Sequence, residues 1–144
     1  MSDRIQNIID RVKQGDKVKV DTREWKEFII GEIFKVSKSK AYHKSDLKIV
    51  ESDADNSVPH ISRTALNNGI DCYVIKEPNM RIEKENAITL GAEVVTFFYQ
   101  SQQFICGNSI SIIRHKNLNK NTAIFLCFVF KSAFKQLYNY NNSL

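Results

Sequence analysis

Between Val58 and Arg114 five short apolar segments follow one another in quick succession, and this rhythm constrains the fold more than any other feature. They are Val58–Ser62, Asp71–Ile75, Ala87–Leu90, Val94–Tyr99 and Phe104–Arg114. Runs this short, rich in Val, Ile, Phe and Tyr and separated by turn residues, read as strands. Asn68-Gly69 and Leu90-Gly91 punctuate them, and Asn-Gly is a strong tight-turn signal. Val94–Tyr99 is apolar at both parities, which predicts a strand covered on both faces.

The ends of the chain read differently. Ile5, Ile8, Ile9 and Val12 share one helical face, with Ser2 placed as N-cap and Gly15 as the residue after the last turn. Val18 and Val20 alternate with lysines as a short strand would. Gly31 divides the apolar segment Trp25–Phe34 into a strand and a helical turn. From Ser37 to Ser57 the chain turns polar and reads as a long surface loop. Asn121 or Thr122 caps a helix through Leu137, and a polar, flexible tail follows from 138 to 144. The expectation is one α+β domain: an N-terminal helix over 1–15, then a β-rich body over 16–137 ending in a C-terminal helix.

Composition removes several classes of function. No apolar run is long enough to cross a bilayer, the longest being Ala123–Phe130. The charged N-terminus lacks the apolar stretch of a signal peptide, so a cytoplasmic location is expected. Cys72, Cys106 and Cys127 fit neither a disulfide framework nor a Cys-x-x-Cys metal site, and read as reduced thiols. His43, His60 and His115 sit in unrelated segments without metal-ligand spacing. There is no phosphate-cradling glycine loop, no Gly-x-Ser-x-Gly elbow and no His-Glu-x-x-His pair. Glu83 and Glu85 flank Lys84 in a turn, as solvated acids do. The chain therefore reads as a non-enzyme needing no cofactor or metal.

Charge distribution says more than the net +5. Residues 1–60 carry 12 Lys and Arg against 11 Asp and Glu, whereas after Glu93 there is no acid at all. Arg114, Lys116, Lys120, Lys131 and Lys135 follow it, a distribution suited to a polyanion or simply to a basic solvated surface. Side chains able to read base edges gather at Ser62-Arg-Thr-Ala-Leu-Asn-Asn68 and at Gln100-Ser-Gln-Gln103. Arginine can bind guanine bidentately, and Asn or Gln can do so with adenine.

The order of motifs over residues 25–130 resembles target-recognition domains of specificity subunits in type I restriction-modification systems and related type IIB and IIG enzymes. The resemblance rests on Trp25-Lys-Glu-Phe28 and Glu32-Ile-Phe34, then Pro59 with Ser62-Arg-Thr64, then Asn67-Asn-Gly-Ile70. It continues with Ile88-Thr-Leu-Gly91, the aromatic Phe97–Gln100 and Ala123-Ile-Phe-Leu126. It implies a non-catalytic module that docks on double-stranded DNA, reads a half-site and positions a methyltransferase (modification) subunit. In that scheme Lys38, Lys40, Lys44, Arg114 and Lys116 would hold phosphates. Arg63, Thr64, Asn67, Asn68, Gln100, Gln102 and Gln103 would face bases. Asn68-Gly69 could equally serve only to shape a turn. Full specificity subunits carry two such domains and spacer helices, so one domain here implies a half-subunit that homodimerises or a truncated remnant. The alternative is an interaction module that binds methyltransferase subunits without reading DNA.

Overall fold

The computed structural model describes residues 26–142 continuously, with 136–142 described in the backbone only, together with residues 3, 6, 7, 10, 14, 23 and 24. Of the expected N-terminal helix, Asp3, Gln6, Asn7 and Asp10 fall among these and are helical. The rest of it, the strand expected around Val18 and Val20, and Trp25 lie outside the described residues.

Among the described residues, eight strands form two four-stranded sheets. The elements run α1 (Ile30–Ile33), β1 (Lys35–Lys38), β2 (Ile49–Val50), β3 (Ser57–Ile61), β4 (Ile70–Ile75), β5 (Ala87–Gly91), β6 (Thr96–Gln100), β7 (Ile105–Cys106), β8 (Ile110–Arg114) and α2 (Lys120–Asn142). The first sheet has the order β1-β8-β5-β6 and is antiparallel throughout. The second has the order β2-β4-β3-β7, with β7 parallel to β3.

Alternation along the strands builds the layers. On β5 and β8, Ile88 and Ile113 face one way, joining Phe97, Phe34, Leu118, Ala123, Leu126 and Phe130 beneath α2. Their neighbours Ala87 and Ile112 face the other way, joining Ile61, Phe104, Cys106 and Ile110 between the sheets. On the outer side of the second sheet, Val58, Val74 and Ile105 are covered by Tyr42, Leu47, Met80 and Ile82. The order from one surface to the other is helix, first sheet, second sheet, covering loops. This is the β-rich α+β domain that the sequence predicts.

The departures have local causes. Phe104–Arg114 is not one strand: it turns at Asn108 and Ser109, so that β7 joins the second sheet and β8 the first. Val94 and Val95 are not strand residues either. A four-residue turn closes between the paired Gly91 and Thr96, with Val95 at φ 48. The remaining strand, β6, is covered on both faces as expected, by α2 on one and by the Asn67–Gly69 turn on the other. The Ser37–Ser57 segment is more ordered than a loop, since β1, a 3-10 turn at Lys44–Asp46 and β2 lie within it. In Trp25–Phe34 the helical turn is present, but residues 26–29 form no strand. The cap of α2 is Asn119 rather than Asn121 or Thr122. Its Oδ1 accepts from the backbone N–H of Asn121 and of Thr122, each at 3.1 Å. Thr122 replies by accepting from Asn119 N–H at 3.0 Å, a reciprocal cap that satisfies otherwise orphaned donors. The helix then runs to Asn142, beyond Leu137.

The three cysteines are free. Burial pushes the Cys106 and Cys127 thiols up to about 12, and burial with the Asp71 charge pushes Cys72 up to about 11. A thiol raised in the folded chain favours folding fully below its unfolded value, and that contribution fades as the pH climbs through the folded value. The thiols should therefore stabilise fully below about pH 9 and progressively less toward pH 12. Urea midpoints should fall over that window, and less steeply in Cys106→Ala. Parallel declines in the two proteins would show that other groups cause the loss.

Candidate nucleic-acid interface

The two polar turns singled out in the sequence meet in the fold. β6 is the last strand of the first sheet, and its outer edge receives the turn that ends at Gly69. Asn68 Nδ2 donates to the Tyr99 carbonyl at 2.9 Å, and Gln100 Nε2 donates back to the Asn68 carbonyl at 3.2 Å. This turn requires left-handed backbone at Asn67 (φ 48), Asn68 (φ 56) and Gly69 (φ 79), a region that Asn and Gly tolerate best. A Cβ at position 69 would come within 3.2 Å of Phe98 Cδ2, so the bare glycine lets the turn lie against the aromatic ring.

The same contacts reassign part of the expected set. Gln100 is 1% exposed, and its amide also donates to Thr89 Oγ1 at 3.0 Å. A side chain so enclosed ties the turn to the sheet and does not face a base. The exposed Asn68 likewise ties the turn to the sheet, and the Asn67 amide donates to the Ile70 carbonyl at 3.2 Å. Asn68 and Gln100 thereby fasten the turn to the end of β6. In Ser62–Leu66, Arg63 is ion-paired with Glu93 from the β5–β6 turn, and Thr64 Oγ1 accepts from Leu66 N–H at 3.2 Å. In Ser101–Gln103, Gln102 and Gln103 are exposed, and Gln103 Oε1 accepts from Lys76 Nζ at 3.2 Å.

The expected phosphate set does not converge. Lys38 pairs in register with Ser111 at one end of the β1–β8 ladder, and Arg114 with Lys35 at the other. Arg114 is occupied: its guanidinium donates to the carbonyls of Lys84 (2.9 Å) and Glu85 (3.1 Å) and faces Glu83 at 3.6 Å. It braces the turn before β5. Lys40 lies over the Tyr42 ring, Lys44 faces Asp71 at 3.9 Å, and Lys116 is exposed in the turn before α2.

Two cations that sequence reasoning left out of the site stand in a groove with Asn68 and Ser101. A groove of about 420 Å3 runs between β6 and α2, with Asn68 and Ser101 at its rim and Phe97, Tyr99, Ile124 and Phe128 along it. Lys120 and Lys131 also line it, and both are exposed. The absence of acid after Glu93 was the signal that could have found them. The histidines take separate roles. His43 is exposed. His115 packs edge-on against Phe34, with ring centroids 5.5 Å apart, and accepts from Asn117 N–H. His60 is buried.

Comparison with known proteins bears on this arrangement. A family model described as "Type I restriction modification DNA specificity domain" matches residues 22–144. A Mycoplasma pneumoniae (strain ATCC 29342 / M129 / Subtype 1) protein named as a type I specificity subunit is 34% identical over 56 residues, 39% of this chain and 18% of that protein. Among solved structures, the S subunit of a type I restriction-modification system from M. genitalium superposes with a TM-score of 0.53 at 16% identity. That match covers 81% of this chain and 29% of the other. The HsdS subunit from Thermoanaerobacter tengcongensis superposes with a TM-score of 0.52 at 9% identity, covering 89% of this chain and 39% of that one. Identities this low carry a likeness of fold alone. The chain spans under two fifths of each of these relatives.

Proposed function

The chain belongs to the type I restriction-modification DNA specificity domain family, and from that membership we propose that it recognises double-stranded DNA by sequence without catalysing a reaction. The observation that carries this reading is the fastening of the Asn67–Gly69 turn to the Tyr99–Gln100 end of β6, beside a groove lined by Asn68, Ser101, Lys120 and Lys131. Arg63 and Thr64 precede this turn, and the exposed Gln102 and Gln103 follow β6. An arginine fork can take guanine O6 and N7, and a glutamine amide can take adenine N6 and N7. Lys120 and Lys131 line the groove beside Asn68 and Ser101 and suit phosphates, with Lys116, Lys38, Lys40 and Lys44 as further cations. Phosphate contacts position a protein on the duplex, while contacts to bases select the sequence. The partners in this reading are the duplex, a methyltransferase (modification) subunit and a second copy of the chain, acting together in the cytoplasm.

Selection from a random duplex library at two salt concentrations tests the reading. With about three phosphate contacts, affinity should fall roughly forty-fold between 50 and 200 mM salt. A restricted set of sequences should survive selection. Arg63→Ala should cost about 1–3 kcal/mol on the selected sequence and relax one position of it. Equal binding to every sequence, with no relaxed position in the variant, would leave only a phosphate-holding role. Among the described residues, the exposed Phe128 in the groove favours a second reading, a face for a protein partner. Co-purification with a methyltransferase in the absence of any duplex binding is the result that would select it.

A further inference from the structure

The outer face of β3 and β4 carries a group of side chains that the proposed DNA recognition does not use. His60 and Cys72 are register partners across the ladder, so their side chains project from the same face. The register then slips, because Ile61 pairs with Ile70 and leaves Asp71 as an extra residue. Such a bulge re-aims side chains, and here the Asp71 carboxylate reaches His60 Nδ1 at 2.7 Å. An imidazole nitrogen, a carboxylate oxygen and a thiol sulfur thereby lie within 4.8 Å of one another. The second ring nitrogen of His60 donates to the Tyr42 carbonyl at 2.9 Å. Metal-binding histidines are oriented by a bond of this kind on the nitrogen that does not ligate. His60 is buried, Cys72 is half-buried and the Asp71 side chain is 22% exposed, so an ion can approach from the Asp71 side.

We infer that His60, Asp71 and Cys72 form a site for a divalent transition metal of the zinc class, with water as the fourth ligand. One nitrogen, one carboxylate oxygen and one sulfur suit that class, and three protein ligands leave a position open. Zinc bonds of about 2.0–2.2 Å to nitrogen and oxygen set a tetrahedral N···O separation of roughly 3.4 Å. Asp71 therefore swings outward by somewhat more than half an ångström. The hydrogen between His60 and Asp71 and the thiol hydrogen of Cys72 leave to solvent. Lys44, 3.9 Å from Asp71 Oδ2, opposes the incoming charge. Because Tyr42 is held through His60, the ion fastens the covering loop to the second sheet.

Cobalt(II) titration of the full chain tests the site. One equivalent should bind, with a sulfur-to-cobalt charge-transfer band that zinc abolishes. The band should vanish in Cys72→Ser and weaken in Asp71→Asn, and Lys44→Gln should bind several-fold more tightly. Loss of the buried His60 can unfold the sheet, so the Cys72 and Asp71 variants carry the test, with circular dichroism verifying that each is folded. No band at millimolar cobalt, or an undiminished band in Cys72→Ser, overturns the inference.

Discussion

Replacing Phe104 with alanine is expected to cost the fold about 3–5 kcal/mol, toward the upper end for core truncations. Phe104 is fully buried between the sheets, against Ile61, Ala87, Cys106, Ile110 and Ile112. Its backbone cannot follow a shrinking side chain. Phe104 N–H donates to the Glu83 carbonyl at 3.1 Å, and Glu83 N–H donates to the Phe104 carbonyl at 2.8 Å. β7 begins at the next residue and is fixed to β3. A position held on both sides leaves a cavity open, and the cost grows with the volume that stays empty. Urea unfolding of the two proteins measures the difference. A loss below about 1.5 kcal/mol would show that the sheets close over the gap.

The second large effect is expected at Gln100. Alanine there removes the bonds to the Asn68 carbonyl and to Thr89 Oγ1, and it opens space in a fully enclosed position. Leaving buried polar partners unmatched costs about 1–3 kcal/mol, and the lost packing adds to it, so about 2–4 kcal/mol is expected in total. The variant also separates two roles. A residue that only anchors the turn should lower the unfolding midpoint while the selected DNA sequence stays the same. Had Gln100 read a base, stability would hold and one position of the target would relax. Gln100→Glu should be comparably harmful, since a carboxylate cannot donate to the Asn68 carbonyl.

Much of the fold was legible because its strands are short and bounded. β3, β4 and β5 fall within a residue or two of the expected segments, where turn residues flank alternating apolar ones. β6 and β7 were harder. The two valines of the β5–β6 turn are as apolar as any strand, and only the closure of Gly91 on Thr96 takes them out of it. Phe104–Arg114 has no break in hydrophobicity strong enough to show that its halves serve different sheets. The candidate site was half legible. The turns that meet were both identified by composition, but hydrogen-bonding capacity alone did not tell which amides face inward. The parity of β6 held a clue, since Gln100 is in phase with Thr96 and Phe98 rather than with the solvent. Glu93 reaches Arg63, Lys76 reaches Gln103, and Lys120 and Lys131 reach the groove through tertiary packing, which no local pattern records. His60, Asp71 and Cys72 are joined by strand register and a bulge, invisible as spacing.

The Asn67–Gly69 turn has a consequence for how such a surface can diversify. By occupying the last strand's free carbonyl at Tyr99, Asn68 blunts an edge that could otherwise recruit a foreign strand. Residues 63–66 and 101–103 hang from this anchor without building it. New preferences could therefore be grafted onto those seven positions while the anchor keeps that sheet edge covered.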